Sequence, residues 1–383
     1  MFLKVLSQVS NIYTYGCTPY LKAANLIWIR SKKRTSPRGI QKFHFSRFRM
    51  RGARVTLVSM TIQFEFRPVQ LHFRFPFKIA HGMRTYTDSV LVKATAGNYS
   101  ALGEATLPPY LQDTVQSVME FIKLPFFSSI SLDMHPQEVF DEMDKLAIGN
   151  MPAKAAVDMA IWSLYAQHKG ISLKEALDVH VDTSVPHSYT IGICTKDEMQ
   201  ERISFGEEQG FTFFKLKLDG TLDMEILHNY ASLCSHAFAV DANQAWTTLS
   251  ESEIMQRVRQ LEEMRCVLLE QPFDKYDLDR SCWLRHHTSL PIIADEACQR
   301  LKDVTDLKDC FDGINIKLQK CGGLTEAKRM IEAARSINMK VLIGCMSESS
   351  IGCLAGEALA PLCDWADLDG RFLILNDALS TMK

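Results

Sequence analysis

Six short apolar runs in the second half of the chain carry charged residues of complementary type. The run Phe213-Phe214-Lys215-Leu216-Lys217-Leu218 puts two lysines on one face of a strand, because strand side chains alternate with period two. The next three runs end in carboxylates: Val240-Asp241-Ala242-Asn243, Leu269-Glu270-Gln271-Pro272 and Ala294-Asp295-Glu296. Ile314-Asn315-Ile316-Lys317 follows, and the last run ends Asp367-Leu368-Asp369-Gly370, again with two carboxylates on one face. Singly, each has an ordinary use: an acid at a strand end forms a turn or caps a helix, and a strand lysine marks a solvated edge. Jointly they do something else if the strands are neighbours. Three carboxylates at close range repel and raise one another's pKa. A hard divalent cation relieves that repulsion, and oxygen donors with octahedral preference select Mg²⁺ over zinc. The adjacent His286 and His287 lack zinc-ligand spacing and read as surface residues.

The elements that must position these groups are legible from rhythm. Short apolar runs begin near residues 186, 211, 236, 267, 291, 313, 340 and 364. Helix-forming stretches such as Glu251–Glu263 and Thr325–Ile337 lie between most of them. Eight strands alternating with helices mean a parallel sheet, and the rival open sheet would show a G-x-G-x-x-G turn after its first strand. None stands there, so the reading is a closed barrel, whose catalytic groups project from the C-terminal strand ends. Ahead of it, Ile62–Phe66, Gln70–Phe75 and Ser89–Thr95 alternate as strands, and Ala153–His168 has helical spacing stopped by Gly170. The expected fold is α/β: a (β/α)7β TIM-like barrel over 181–370, preceded by an α+β capping domain over 60–180.

Lys-x-Lys on the second strand, Asp241, Glu270 and Asp295 on strands three to five, and Lys317 on the sixth resemble the enolase superfamily, and within it the muconate-lactonizing subgroup. The likeness covers residues 61–379 and implies a mechanism. Asp241, Glu270 and Asp295 would hold Mg²⁺, which stabilises the ene-diolate formed when the proton beside the substrate carboxylate is removed. Lys217 and Lys317 would face opposite sides of that carbon, one taking the proton and the other returning it. Nearby cations, Mg²⁺ and Lys215, would lower the lysine pKa toward neutrality. Lys215 itself reads as a support, or equally as a charge partner for a strand-end carboxylate.

The subgroup includes cycloisomerases, o-succinylbenzoate synthases, N-acylamino acid racemases and dipeptide epimerases. Asp367-x-Asp369 resembles the motif of Ala-Glu-type dipeptide epimerases, where it holds the substrate's ammonium; a buried ammonium needs anionic acceptors. The stretch Gly344-Cys345-Met346-Ser347-Glu348 also resembles that group, which makes Met346 a candidate substrate contact. The expected activity is therefore Mg²⁺-dependent epimerisation of a dipeptide at the α-carbon of its C-terminal residue. An N-acylamino acid racemase, an o-succinylbenzoate synthase and a truncated, non-catalytic barrel are the alternatives. Loops of the capping domain, Lys78–Asp88 with Arg84 and Thr106–Asp113, are expected to read the second side chain. Arg84 could pair with an acidic one.

Composition divides the chain. Residues 1–60 hold twelve Lys or Arg and no Asp or Glu, so residues 61–383 carry 31 basic against 45 acidic side chains, a net of −14 hidden in the total of −2. Residues 1–59 read as a basic extension outside the fold, most simply an upstream extension before Met60; a transit peptide or a nucleic-acid or membrane arm are the other readings. The enzyme portion shows no nucleic-acid or membrane signal, and no apolar run spans a bilayer. Eleven scattered cysteines with no C-x-x-C pair suggest unpaired thiols in a reducing, cytoplasmic setting. Residues 371–383 are expected to be a short tail returning toward the capping domain, short enough that a capping strand could be missing. A homo-oligomer is compatible with the resemblance.

Overall fold

The computed structural model describes residues 60–381, so the expectation for segment 1–59 lies outside the described residues. Three antiparallel strands come first, β1 (Gln63–Ile79), β2 (Gly82–Ala96) and β3 (Tyr99–Leu107), in the order β1-β2-β3. The two strands expected before residue 76 merge into β1, across Pro68. That residue is tolerated because β1 is an edge strand with no ladder hydrogen bond to lose on its outer side. Segment Lys78–Asp88, expected as a loop, is instead the tip of the β1–β2 hairpin, with Phe77 opposite Arg84 and Ile79 opposite Gly82. The register shifts between His72 and Phe77, and pairing resumes at Phe77 and runs to the two-residue turn Ala80-His81.

Strand β3 has a weak sequence signal for a physical reason. Its alternate residues Ala101, Gly103 and Ala105 are small because helix Met151–Lys169 lies directly on them. A Cβ on Gly103 would stand 1.8 Å from the Ala156 carbonyl oxygen. That helix is buried on nearly every face, packed by Val157, Ile161 and Leu164 against the capping core and by Ala155, Met159 and Trp162 against the barrel core. Gly170, at φ +67°, ends it as expected.

The eight apolar runs all form strands: β4 (Tyr189–Ile191), β5 (Phe213–Lys217), β6 (Ala237–Asp241), β7 (Leu269–Glu270), β8 (Ile292–Ala294), β9 (Gly313–Lys317), β10 (Lys340–Gly344) and β11 (Trp365–Asp367). They pair in parallel in sequence order, and Ser188 N–H to Ala366 O and Ala366 N–H to Pro186 O, both 2.9 Å, close β11 onto the segment leading into β4. Helices cover the outside; Glu251–Glu263, for example, starts at the Ser250/Glu253 capping box.

One expectation changes. Cys282 and Cys310 are joined in a disulfide, while eight other described cysteines are free. The two lie 28 residues apart and meet only through barrel packing, which no local spacing announces. The chain after β11 returns along the outer edge of β1: Ile374 bridges Phe73, Leu375 N–H donates to His72 O at 2.8 Å, and Asn376 exchanges hydrogen bonds with His72 N–H and Gln70 O. The return is a single bridge, not a fourth strand. Among the described residues, no helix is long and apolar enough to cross a membrane.

Capping helix and barrel are tied by a buried chain: Trp162 Nε1–H donates to Thr325 Oγ1, which donates to Asp158 Oδ1 at 2.7 Å, while Thr325 N–H donates to Asp158 Oδ2. Burial pushes the Asp158 carboxyl up to about 7 against these hydrogen bonds. The raised value means that the folded state binds the proton more tightly than the unfolded one, so this stabilisation is full below about pH 4 and is lost as pH rises through about 7. Asp158→Asn mimics the protonated form. The wild type should lose up to about 4 kcal/mol more than the variant between pH 4 and pH 8. Urea midpoints at the two pH values check this, and parallel curves for the two proteins would refute it.

Candidate active site

Every charged residue singled out on the barrel strands stands at its C-terminal mouth and is buried. Asp241, Glu270 and Asp295 end β6 and β7 and follow β8, and one oxygen from each lies within 4.8 Å of the others. Their oxygens divide into two sets. One oxygen of each is anchored by a fixed donor: Asp241 Oδ1 by the Asn243 N–H (2.8 Å), Glu270 Oε1 by Asn315 Nδ2 (2.9 Å), and Asp295 Oδ1 by Lys320 Nζ (2.5 Å). The other oxygen of each faces a lysine ammonium. Lys217 Nζ is 2.6 Å from Asp241 Oδ2, Lys215 Nζ is 2.8 Å from Glu270 Oε2, and Lys317 Nζ is 2.7 Å from Asp295 Oδ2. Glu270 Oε2 takes no well-directed hydrogen bond despite that contact. Three converging carboxylate oxygens, all hard donors, are what a Mg²⁺-sized ion requires.

Position-specific backbone holds the ligands. Asn243, Gln244 and Gln271 have φ of +42°, +67° and +38°, so the chain turns sharply as it leaves β6 and β7. Gln271 Oε1 accepts the N–H groups of Asp295 and Ala297, which fixes the exit from β8. Lys320 also donates to the carbonyls of Asp295, Cys298 and Asn315.

Burial disfavours charge at all of these groups, and their partners decide the outcome. Against burial, Lys217 and Lys215 hold Asp241 below the usual carboxylate range, and Lys317 and Lys320 hold Asp295 well below it. Glu270 goes the other way, raised by burial and by Asp241. Lys215 and Lys317 are kept well above the usual lysine value despite burial, chiefly by Asp367 and Asp295 respectively. At Lys317 the neighbouring Lys215 lowers the pKa in the expected sense, but Asp295, Tyr110 and Glu270 outweigh it.

Asp367 and Asp369 separate in role. Asp367 lies 2.7 Å from Lys215 and accepts from Ser188 and Thr190 hydroxyls; against burial, Lys215 takes its carboxyl down to about 2. Asp369 accepts the Thr190 N–H, and burial together with Asp367 pushes it up to about 7. Lys215 therefore touches carboxylates of β6, β7 and β11 at once. Met346 is buried, and its sulfur accepts from the Tyr110 hydroxyl at 3.0 Å. Arg84, half-buried on β2, stacks its guanidinium 5.5 Å from the Phe73 ring centroid and leaves a buried Nη1 without a partner. Burial lowers its pKa, and the Tyr110 hydroxyl is close enough to counter that.

Four residues beyond those picked from the sequence complete the site. Lys320 is the anchor of Asp295, three residues past Lys317 in a helical turn. Tyr110 hangs over the mouth from the loop after β3. Gln319 joins that loop to the barrel, accepting Thr106 N–H and donating to Glu104 O and Glu348 Oε2. Glu104, fully buried on β3, accepts from Ser349 and Gly352 N–H at the start of helix Ser350–Glu357. An ionisable residue inside an apolar strand, Glu104 among Ala101, Gly103 and Ala105, is the signal that could have found it.

The chain matches two family descriptions in tandem: the mandelate racemase / muconate lactonizing enzyme N-terminal domain over residues 61–177, and the enolase C-terminal domain-like family over residues 196–368. It is 36% identical over 313 residues to the L-Ala-D/L-Glu epimerase of Bacteroides thetaiotaomicron, covering 82% of this chain and 81% of that one. Among solved structures, the substrate-liganded L-Ala-D/L-Glu epimerase from Bacillus subtilis superposes with a TM-score of 0.77 at 27% identity, covering 83% and 92% of the two chains. The dipeptide epimerase from Enterococcus faecalis, complexed with Mg and L-Leu-L-Tyr, gives 0.75 at 27% identity, covering 83% and 93%.

Removing Lys320 leaves the Asp295 carboxylate and three carbonyl groups short of a buried donor. Lys320→Met should therefore cost about 3–5 kcal/mol of unfolding free energy. Urea titration measures it, and a cost under about 1 kcal/mol would show that water replaces the ammonium without penalty.

Proposed function

The chain belongs to the mandelate racemase / muconate lactonizing enzyme family, and from that premise we propose that it is a Mg²⁺-dependent dipeptide epimerase. The observation that carries the reading is the placement of Lys217 and Lys317. They stand on β5 and β9, with three strands between them in either direction around the barrel, and flank the carboxylate triad. A substrate α-carbon seated over the triad has one ammonium on each side.

Asp241, Glu270 and Asp295 would hold Mg²⁺ through the oxygens that now face lysines. Bound there, the ion supplies positive charge to the substrate carboxylate as the adjacent carbon loses its proton. Lys217 or Lys317, once neutral, takes that proton, and the other lysine delivers one to the opposite face; the stereocentre inverts with no net change in atoms. Lys215, fixed by three carboxylates, cannot swing to a substrate carbon and serves as a positioning group. Asp369 would accept the substrate's ammonium, with Asp367 holding Lys215 beneath it. An ammonium arriving beside Asp369 favours its ionised form, so binding and charging go together. Arg84 Nη1 would meet an acidic side chain at the second residue, and Met346 and Tyr110 would line the wall. Eight free thiols against one disulfide among the described residues support a reducing, cytoplasmic setting, with the Cys282–Cys310 bond as the observation that runs against it.

The reaction is tested by incubating the protein with Mg²⁺ and L-Ala-L-Glu in D₂O and following deuterium at the α-carbon of the second residue. Inversion with exchange, lost on EDTA treatment, is expected. Exchange restricted to N-succinyl amino acids would assign the racemase alternative instead. Lys217→Ala and Lys317→Ala should each lower epimerisation by about 10³-fold or more, while at least one still exchanges the α-proton of a single stereoisomer. Full activity in either variant would falsify the two-base assignment.

Asp369→Asn separates ammonium recognition from the proton transfers. Its kcat/KM for dipeptides should fall by about 10²-fold, with a much smaller change for an N-acylated substrate. Equal losses on both would remove Asp369 from ammonium binding.

A further inference from the structure

At the foot of β6, at the end opposite Asp241, a second group of ligand-type side chains comes together. Cys234 and His236 form a Cys-x-His turn leading into the strand, and Glu207 reaches them from the last turn of helix Lys196–Glu208. One ligand atom of each, the Cys234 sulfur, a His236 ring nitrogen and a Glu207 carboxylate oxygen, lies within 4.8 Å of the other two. His236 Nε2 is 3.1 Å from Glu207 Oε1. Two ligands about 2.0 Å from a tetrahedral zinc stand about 3.3 Å apart, so that pair already spans one edge. Closing the sulfur to a comparable separation requires only a small side-chain movement.

The surroundings suit a thiolate as well as an imidazole. The backbone N–H of His236 donates to Cys234 Sγ at 3.4 Å, a bond that strengthens as the sulfur becomes anionic. The thiol donates to the Tyr230 hydroxyl, also 3.4 Å away. Phe214 stacks on the imidazole at 5.8 Å between centroids with an interplanar angle of 28°, which fixes the ring plane. Glu207 and His236 are about half and one-third exposed, so an ion can enter from solvent and keep a water as its fourth ligand.

We propose that Glu207, Cys234 and His236 form a second metal site, selective for a thiolate- and imidazole-binding divalent cation of the zinc class. The all-oxygen triad at the barrel mouth, about 16 Å away along β6, takes a hard ion instead. Binding displaces the thiol proton to solvent and ties helix Lys196–Glu208 to the foot of the strand that bears Asp241. At the N-terminal face of a barrel, the role is structural rather than catalytic.

The test uses the full chain with saturating Mg²⁺, so that the triad is occupied. Co²⁺ titration should give a thiolate-to-cobalt charge-transfer absorption saturating at one equivalent, abolished in Cys234→Ser and weakened in Glu207→Gln, a mild change at an exposed position. Zn²⁺ at about 100 times its Kd should raise Tm by about 5 °C in the wild type and not in Cys234→Ser. Epimerase activity of Cys234→Ser should match the wild type. Absence of the absorption in the wild type, or its persistence in both variants, which would place it on another cysteine, overturns the proposal. Because the readouts are absorption and Tm, the outcome is independent of whether the epimerase reading holds.

Discussion

Three carboxylates buried at the mouth of the barrel cannot remain ionised together without cations to offset their repulsion. The site is arranged around that constraint. Each carboxylate commits one oxygen to a fixed donor and turns the second toward an ammonium group. The anchored oxygens set the geometry, and the cation-facing oxygens leave a place where a positive ion belongs. Had both oxygens of any one carboxylate been tied to backbone or amide donors, the group would be a structural turn former and nothing more.

The barrel supplies what no local motif could. Parallel strands in sequence order put Asp241, Glu270 and Asp295 on adjacent staves and Lys217 and Lys317 on opposite walls. A stereocentre can be inverted only by groups on its two faces, and opposite staves meet that condition without moving parts. The capping sheet completes the enclosure. Glu104 holds the start of the helix after β10, Gln319 holds the root of the Tyr110 loop, and residues 374–376 tie the end of the barrel back to β1. The chemistry thus sits on rigid strands, whereas the groups over the mouth, Arg84 and Tyr110, come from a hairpin and a loop that can vary without disturbing it.

What could be read from the sequence follows the same division. Strand-end charges were visible because each interrupts an apolar run, and eight such runs at a regular period specify the barrel and so their convergence. Residues acting through a neighbour were hidden. Lys320 looks like one more helix lysine, Gln319 like a solvated amide, and β3 hides its strand character behind the small residues that admit helix Met151–Lys169. The hairpin at Lys78–Asp88 gives no strand signal because its polar residues alternate poorly, and its register against β1 shifts between His72 and Phe77. The Cys282–Cys310 pair arises from helix packing on the barrel exterior, which spacing along the chain does not encode.

The count of charges bears on which lysine state the reaction needs. Four buried carboxylates, Asp241, Glu270, Asp295 and Asp367, face four buried ammonium groups, Lys215, Lys217, Lys317 and Lys320. With all four of these carboxylates ionised the set would balance four charged lysines; burial and Asp241 raise Glu270, and Asp295 chiefly holds Lys317 well above its ordinary value against burial. A divalent ion and a substrate carboxylate together add one net positive charge. Balance then returns when one lysine gives up its proton. Lys320 and Lys215 are each held by several acceptors, which leaves Lys217 and Lys317, with one carboxylate contact each, as the pair for the proposed proton transfers. A single neutral lysine opposite a charged one is the pairing that removes a proton from one face of a carbon and returns one to the other.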